Sequence, residues 1–224
     1  MRYPATLLIL TALLPAFAFA QLVLPDNIFP DTTHAPFVRG VASGDPTPEA
    51  VIIWTHIEVD SASFGSSFDV DWAVATDSAM TNVVQNGTFA TDSSRDFTVK
   101  IDVQGLQADT RYWYQFTQGG NTSAVGRTHT APVGQVDALS FAVASCSSVF
   151  SGWFNAYRHI GRSEEIDLVV HVGDYIYEFV DDNEQIRVPE PMQERPENLR
   201  DWRWFHNYYH LDPDFRLALQ RHPW

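Results

Sequence analysis

From Phe37 to Ala131 apolar residues come in short or alternating runs broken by turn residues, a rhythm of strands rather than helices. The runs are residues 37–41, 50–59, 68–75, 83–89, 97–103, 111–118 and 125–130. Turn chemistry between them comes from Ser43-Gly44-Asp45-Pro46, Asn86-Gly87 and Gly119-Gly120-Asn121. Seven short strands at this spacing predict a β-sandwich over residues 36–131. After residue 136 the rhythm changes. Residues 139–144 and 166–172 read as strands, the second apolar on both faces as a buried parallel strand is. Between them Trp153, Phe154, Ala156, Tyr157 and Ile160 fall at helical spacing. Strand, helix, strand predicts a βαβ unit. A polar, Pro-rich loop follows at 181–196, then an aromatic helix from about Leu199.

The first 20 residues read differently again. Arg2 precedes an apolar stretch that ends in Ala18-Phe19-Ala20, the pattern of a cleaved secretory signal peptide. A membrane anchor is the alternative, but the stretch is short for a span and Pro15 interrupts it. Residues 21–35 read as an extended lead-in, and no later segment is apolar enough to span a bilayer. The expectation is an exported, monomeric protein delivered by a Sec-type route.

Composition narrows the partners. The 14 basic residues against 28 acidic ones give a net charge of −14. Such a surface repels anionic membranes and nucleic-acid backbones, so no nucleic-acid-binding surface is expected. The one cysteine, Cys146, has no internal disulfide partner. It is therefore an intermolecular, buried or functional thiol.

Candidate chemistry gathers at the two strand ends of the second region. Cys146 follows the 139–144 run, and Gly173-Asp174 ends the 166–172 run with Tyr177 three residues on. Ligands of open α/β sheets collect outside the carboxyl ends of the strands. A thiol, a carboxylate and a phenol there make a candidate metal site, whose anionic oxygens suit a hard trivalent iron while the thiolate adds a softer contact. The competing reading is that Asp174 caps a turn and Tyr175 and Tyr177 are core aromatics. His159, His206, His210 and His222 read as helix-surface or capping residues, and His171 as a core histidine. No His-Glu-x-x-His, Gly-x-Ser-x-Gly or nucleotide-binding Gly loop occurs, while Asn121-Thr122-Ser123 is formally a glycosylation acceptor.

Two resemblances sharpen these readings. Gly105-Leu106 through Thr110-Arg111-Tyr112 resembles the stretch entering the sixth strand of fibronectin type III domains, where a tyrosine hydroxyl ties back to nearby backbone. Tyr112 fits that position, and Trp54 would be the buried strand tryptophan. Val41 to Pro48 with Val51-Ile52-Ile53-Trp54 is similar to the amino-terminal domain of PhoD-type alkaline phosphatases. Ala144-Ser145-Cys146, Gly152 to Tyr157 and His171 to Glu178 resemble the start of that family's metallophosphoesterase domain. Asp212-Pro213 and His222-Pro223-Trp224 resemble the segment before its next metal motif.

The second resemblance implies a fibronectin III- or immunoglobulin-like sandwich followed by the start of an α/β domain at 136–224. It also implies hydrolysis of phosphate esters with Fe3+ and Ca2+, Cys146 and Tyr177 on iron and Asp174 bridging both ions. The family's further ligands, in a Trp-Asp-Asp-His-Glu-like stretch and beyond, have no match here. The chain is therefore expected to be an inactive fragment whose sandwich folds alone while the α/β part leaves apolar faces open. The signal also lacks the twin arginines common in the family. A secreted binding module without activity is the alternative function. A thiol enzyme using Cys146 as nucleophile is weaker, because no histidine is placed by sequence to activate it.

Overall fold

The computed structural model describes residues 30–179, 187 and 195–224. The signal reading, the lead-in up to residue 29 and most of the 181–196 loop lie outside the described residues. Eight strands come first: β1 (Val41–Gly44), β2 (Ala50–His56), β3 (Phe68–Ala75), β4 (Val83–Thr91), β5 (Thr98–Gln104), β6 (Arg111–Gln118), β7 (Asn121–Thr122) and β8 (Gly126–His129). β1, β2 and β5 make one antiparallel sheet. β4, β3 and β6 make a second, with β7 and β8 both paired to β6.

Alternation decides which face closes on the other sheet. Along β3, Val70 and Val74 are buried while Asp69 and Asp71 face water. They meet Val51 and Ile53 of β2, Val99 and Val103 of β5, and Tyr112, Tyr114 and Phe116 of β6 in one shared core. Burying such side chains contributes about 1.5–3 kcal/mol apiece. The Tyr112 hydroxyl accepts from the Gln107 backbone N–H at 2.9 Å, with Leu106 buried beside it.

Three details depart from the sequence reading. Residues 37–40 form a turn rather than strand, closed by Gly40 N–H on the Phe37 carbonyl and by Gly40 at φ +75°; their apolar side chains are buried all the same. Asn86-Gly87 lies inside β4, not at a turn. Gly87 is needed there because a Cβ would meet the Trp72 ring at 2.9 Å. Trp72, rather than Trp54, is the tryptophan packed on the sandwich core. Trp54 alternates out of register with Val51 and Ile53, is only half-buried, and stands 5.0 Å from His210.

Packing at Gly126 is tightest of all. A Cβ at that position would lie 2.2 Å from the fully buried Tyr114 ring. Gly126→Ala should therefore lose about 1–3 kcal/mol, the usual penalty of overpacking, read as a lower urea midpoint with unchanged slope. An unchanged midpoint would refute this packing.

The second region adds β9 (Phe141–Ala144), α1 (Asn155–Arg162), β10 (Leu168–His171), α2 (Leu199–Tyr209) and α3 (Pro213–Arg221). β9 and β10 are parallel, Phe141 opposite Leu168 and Ala144 opposite His171, with α1 as the crossover. Val169 and Ala144 face inward, toward an aromatic cluster of Phe150, Phe154, Tyr157, Phe205, Tyr209 and Phe215. β10 is not buried on both faces. Val143 and Val172 are 67% and 65% exposed, because the described helices cover one side only.

α3 was not foreseen as a separate helix. Asp212 caps it by accepting from the Asp214 and Phe215 N–H groups, and Pro213 takes the first turn, where a missing N–H costs nothing. The sandwich and this region join directly. Trp224 N–H donates to the Ser43 carbonyl and Asp45 N–H to the Trp224 carbonyl, laying the chain's last residues along β1. Arg127 of β8 reaches the Arg221 carbonyl and Glu164. No helix among the described residues is long and apolar enough to cross a membrane.

Candidate metal centre

β9 and β10 end side by side because they are adjacent and parallel, so whatever follows each strand is brought together. Cys146 and Asp174 both sit in the left-handed region, at φ +55° and +51°, with Gly173 at φ +125°. Such backbone is costly for side chains other than glycine and persists only where its surroundings hold it. Here two cross-links do so: Cys146 N–H donates to the Gly173 carbonyl at 3.2 Å and Ser147 N–H to the Asp174 carbonyl at 3.0 Å.

The turns aim three side chains at one point. The Cys146 thiol donates to Asp174 Oδ2 at 3.5 Å and the Tyr177 hydroxyl donates to the same oxygen at 3.0 Å. Asp174 and Cys146 are exposed, so the cluster opens to solvent. Hydrogen bonding to Cys146, then to Asp174, with the Asp174 charge adding to it, raises the Tyr177 phenol above its ordinary pKa. The phenol therefore keeps its proton beside the carboxylate. Among the described residues no group of three or more His, Cys, Asp or Glu side chains could hold a metal, so any third donor beside Cys146 and Asp174 would be the Tyr177 phenol.

The sequence-predicted residues Cys146, Asp174 and Tyr177 thus lie together. His171 does not join them. It lies on the inner face of β10, Nε2 3.3 Å from the Ser147 hydroxyl and its ring stacked at 6.1 Å on Trp224; burial lowers its pKa against the pull of Asp174. His222 and His210 do follow helix ends, yet they are not surface residues. His222 is fully buried, with Nε2 2.9 Å from the Ile160 carbonyl. Burial drives the His210 pKa down to about 3.

Supporting residues escaped the sequence reading. The Tyr209 hydroxyl accepts from the Tyr177 backbone N–H at 2.9 Å and so positions the phenol. Arg187, within the loop, lays its guanidinium 5.0 Å over Trp153 and also over Phe154. No local pattern marks either role, since both depend on pairings more than 30 residues apart. Beside Cys146 a groove of about 540 Å3 runs past Ser148 and Ser151 to Trp153 and Tyr157.

Comparisons with known proteins agree along most of the chain. Residues 24–132 match the model of the PhoD-like phosphatase N-terminal domain, and residues 141–224 match that of the PhoD-like phosphatase itself. Alkaline phosphatase D of Bacillus subtilis is 34% identical over 208 residues, covering 88% of this chain and 35% of its own length. A solved structure of PhoD superposes with a TM-score of 0.78 at 32% identity, over 87% of this chain and 39% of that one. The chain thus spans little more than a third of either relative. It belongs to the PhoD-like phosphatase family, of which it carries the amino-terminal portion.

Proposed function

We propose that the whole protein is an exported phosphatase or phosphodiesterase that hydrolyses phosphate esters at alkaline pH. Cys146 and Tyr177 would hold Fe3+, and Asp174 would bridge Fe3+ and Ca2+. In this reading residues 36–131 are a sandwich of fibronectin III type, supported by the Tyr112 tie-back, and residues 136–224 open an α/β metallophosphoesterase domain. The observation that carries the function is the convergence of the Cys146 thiol and the Tyr177 phenol on one Asp174 oxygen at two parallel strand ends.

The donor set fits the ions. Thiol, phenol and carboxyl each become an anion on losing a proton, which suits a trivalent cation, and two of the three are hard oxygens. When bound, the ions supply positive charge against the phosphoryl oxygens and act as Lewis acids. The chain's own part is to fix the donors. The cross-linked turns hold Cys146 and Asp174, Tyr209 holds the Tyr177 backbone, and exposure leaves room for a phosphate.

A chimaera tests this. Residues 24–224 would replace the aligned third of the Bacillus subtilis relative, and hydrolysis of p-nitrophenyl phosphate and bis-p-nitrophenyl phosphate would be followed with iron and calcium present. Activity is expected, and Asp174→Asn should cut it about a hundredfold or more, the scale of losing several kcal/mol of charge stabilisation. The 224-residue chain alone should show no measurable turnover. Full activity of the Asp174→Asn chimaera would end the proposal.

A further inference from the structure

A second cleft, of about 540 Å3, opens where α2 crosses the outer face of the three-stranded sheet. Trp54 and Trp202 line it, with Tyr175, His210, Arg95 and Arg203. Trp54 points away from the sandwich core, and among the described residues the His210 ring, 5.0 Å off, is its aromatic partner. Trp202 is 40% exposed on α2. Two indoles therefore stand on a concave surface without being closed into a core. Apolar walls with a few fixed polar groups are the usual makeup of a small-molecule site.

The walls are held in place by polar tethers. Arg203 donates to the Ser93 and Ser94 carbonyls at 3.3 and 2.9 Å, and Asn207 donates to Asp96 at 3.3 Å. These bonds pin α2 to the turn that carries Arg95, and both arginines line the cleft. The lining thus holds two arginines and one carboxylate, Asp96, which the Asn207 amide engages, beside its two tryptophans. His210 adds a buried Nδ1 with no hydrogen-bond partner.

The geometry points to a binding site for a small aromatic anion, a single planar ring bearing one carboxylate or phosphate. The ring would stack on Trp54 and Trp202, and the anionic group would meet Arg95 and Arg203. The volume of about 540 Å3 admits a small molecule rather than a polymer. The chain's net charge of −14 works against polyanions such as nucleic acid. The site needs neither Cys146 nor a metal.

Equilibrium dialysis of the 224-residue chain against 4-nitrobenzoate tests the site, with a chelator present so that the result is independent of the metal centre. Saturable binding in the millimolar range is expected. Cyclohexanecarboxylate, which has charge but no aromatic ring, and 4-nitrobenzyl alcohol, which has the ring but no charge, should each bind about tenfold more weakly. Trp202→Ala and Arg95→Gln, both exposed positions, should weaken 4-nitrobenzoate by a similar factor. Val172→Ser, on the open face of β9 and β10, should leave it unchanged. No saturable binding, equal binding of the uncharged ring, or a loss on Val172→Ser without one on Trp202→Ala would each overturn the assignment.

Discussion

Asp212→Ala should unfold the helical region well before the β-sandwich. The Asp212 side chain is 1% exposed and uses both oxygens. Oδ1 accepts from the Asp214 and Phe215 N–H groups at 2.8 Å each, which starts α3, and Oδ2 pairs with Arg187. Alanine leaves the Arg187 guanidinium buried without its counter-ion. Breaking one side of such a pair costs about 3–5 kcal/mol. Losing the cap costs about 1 kcal/mol more in isolation, though two effects at one carboxylate do not simply add. Against a total stability of about 5–15 kcal/mol that is a large fraction.

The location of the damage is as specific as its size. α3 packs on α1 so closely that a Cβ on Gly161 would meet Leu217 at 2.7 Å, and Phe215 sits at the centre of the aromatic cluster. Loosening α3 should therefore expose residues 199–224 to protease first, with residues 41–129 still protected. Asp212→Asn keeps a cap acceptor and loses only the charge, so it should fall between wild type and alanine. Denaturant unfolding and limited proteolysis read both effects. An alanine variant within about 1 kcal/mol of wild type would mean that the Arg187 pair does not form.

Much of this architecture was legible because it follows from period. Strands at 68–75 and 111–118 stand where alternation put them, since one side of each faces a shared core and a slip of one residue would invert every side chain. The βαβ unit was legible for the same reason, two apolar runs around a helical spacing. Failures arose where local chemistry has two uses. Asn-Gly is a turn signal, yet at 86–87 the glycine makes room for Trp72 within a strand. Asp212-Pro213 is an ordinary helix start that the sequence reading used only as a family mark. Trp54 was assigned to the core by the sandwich resemblance, whereas its parity relative to Val51 and Ile53 places it outside.

The candidate site divides in the same way. Cys146, Asp174 and Tyr177 could be paired from sequence because parallel neighbours bring their carboxyl ends together. What holds them could not be read. The left-handed backbone at Cys146 and Asp174 has no side-chain signature, and the bond from Tyr177 to Tyr209 spans 32 residues. Arg187 is a single charged residue in a polar loop, and only the buried carboxylate of Asp212 gives it a role.

Ferric iron added to the 224-residue chain should bind weakly but visibly, through a phenolate-to-iron charge-transfer absorption. Tyr177 is the phenol concerned, because its hydroxyl lies 3.0 Å from Asp174 Oδ2, while Tyr175, adjacent to Asp174 in sequence, packs against the aromatic cluster. Tyr177→Phe should therefore abolish the absorption with little effect on the fold. Asp174→Asn removes the negative charge of the carboxylate on which both other donors converge, and should weaken binding about a hundredfold. Cys146→Ser exchanges a thiolate for a poorer ligand and should shift the band while reducing affinity less. The Tyr177 phenol must release its proton to bind, and its pKa is raised in the metal-free chain, so affinity should climb as pH rises. Calcium alone should give no band and should not protect Cys146 from a thiol reagent, whereas iron should protect it. An absorption that survives Tyr177→Phe, or a Cys146 thiol that stays equally reactive with iron present, would remove these residues from the metal site and leave the three-way convergence a structural turn.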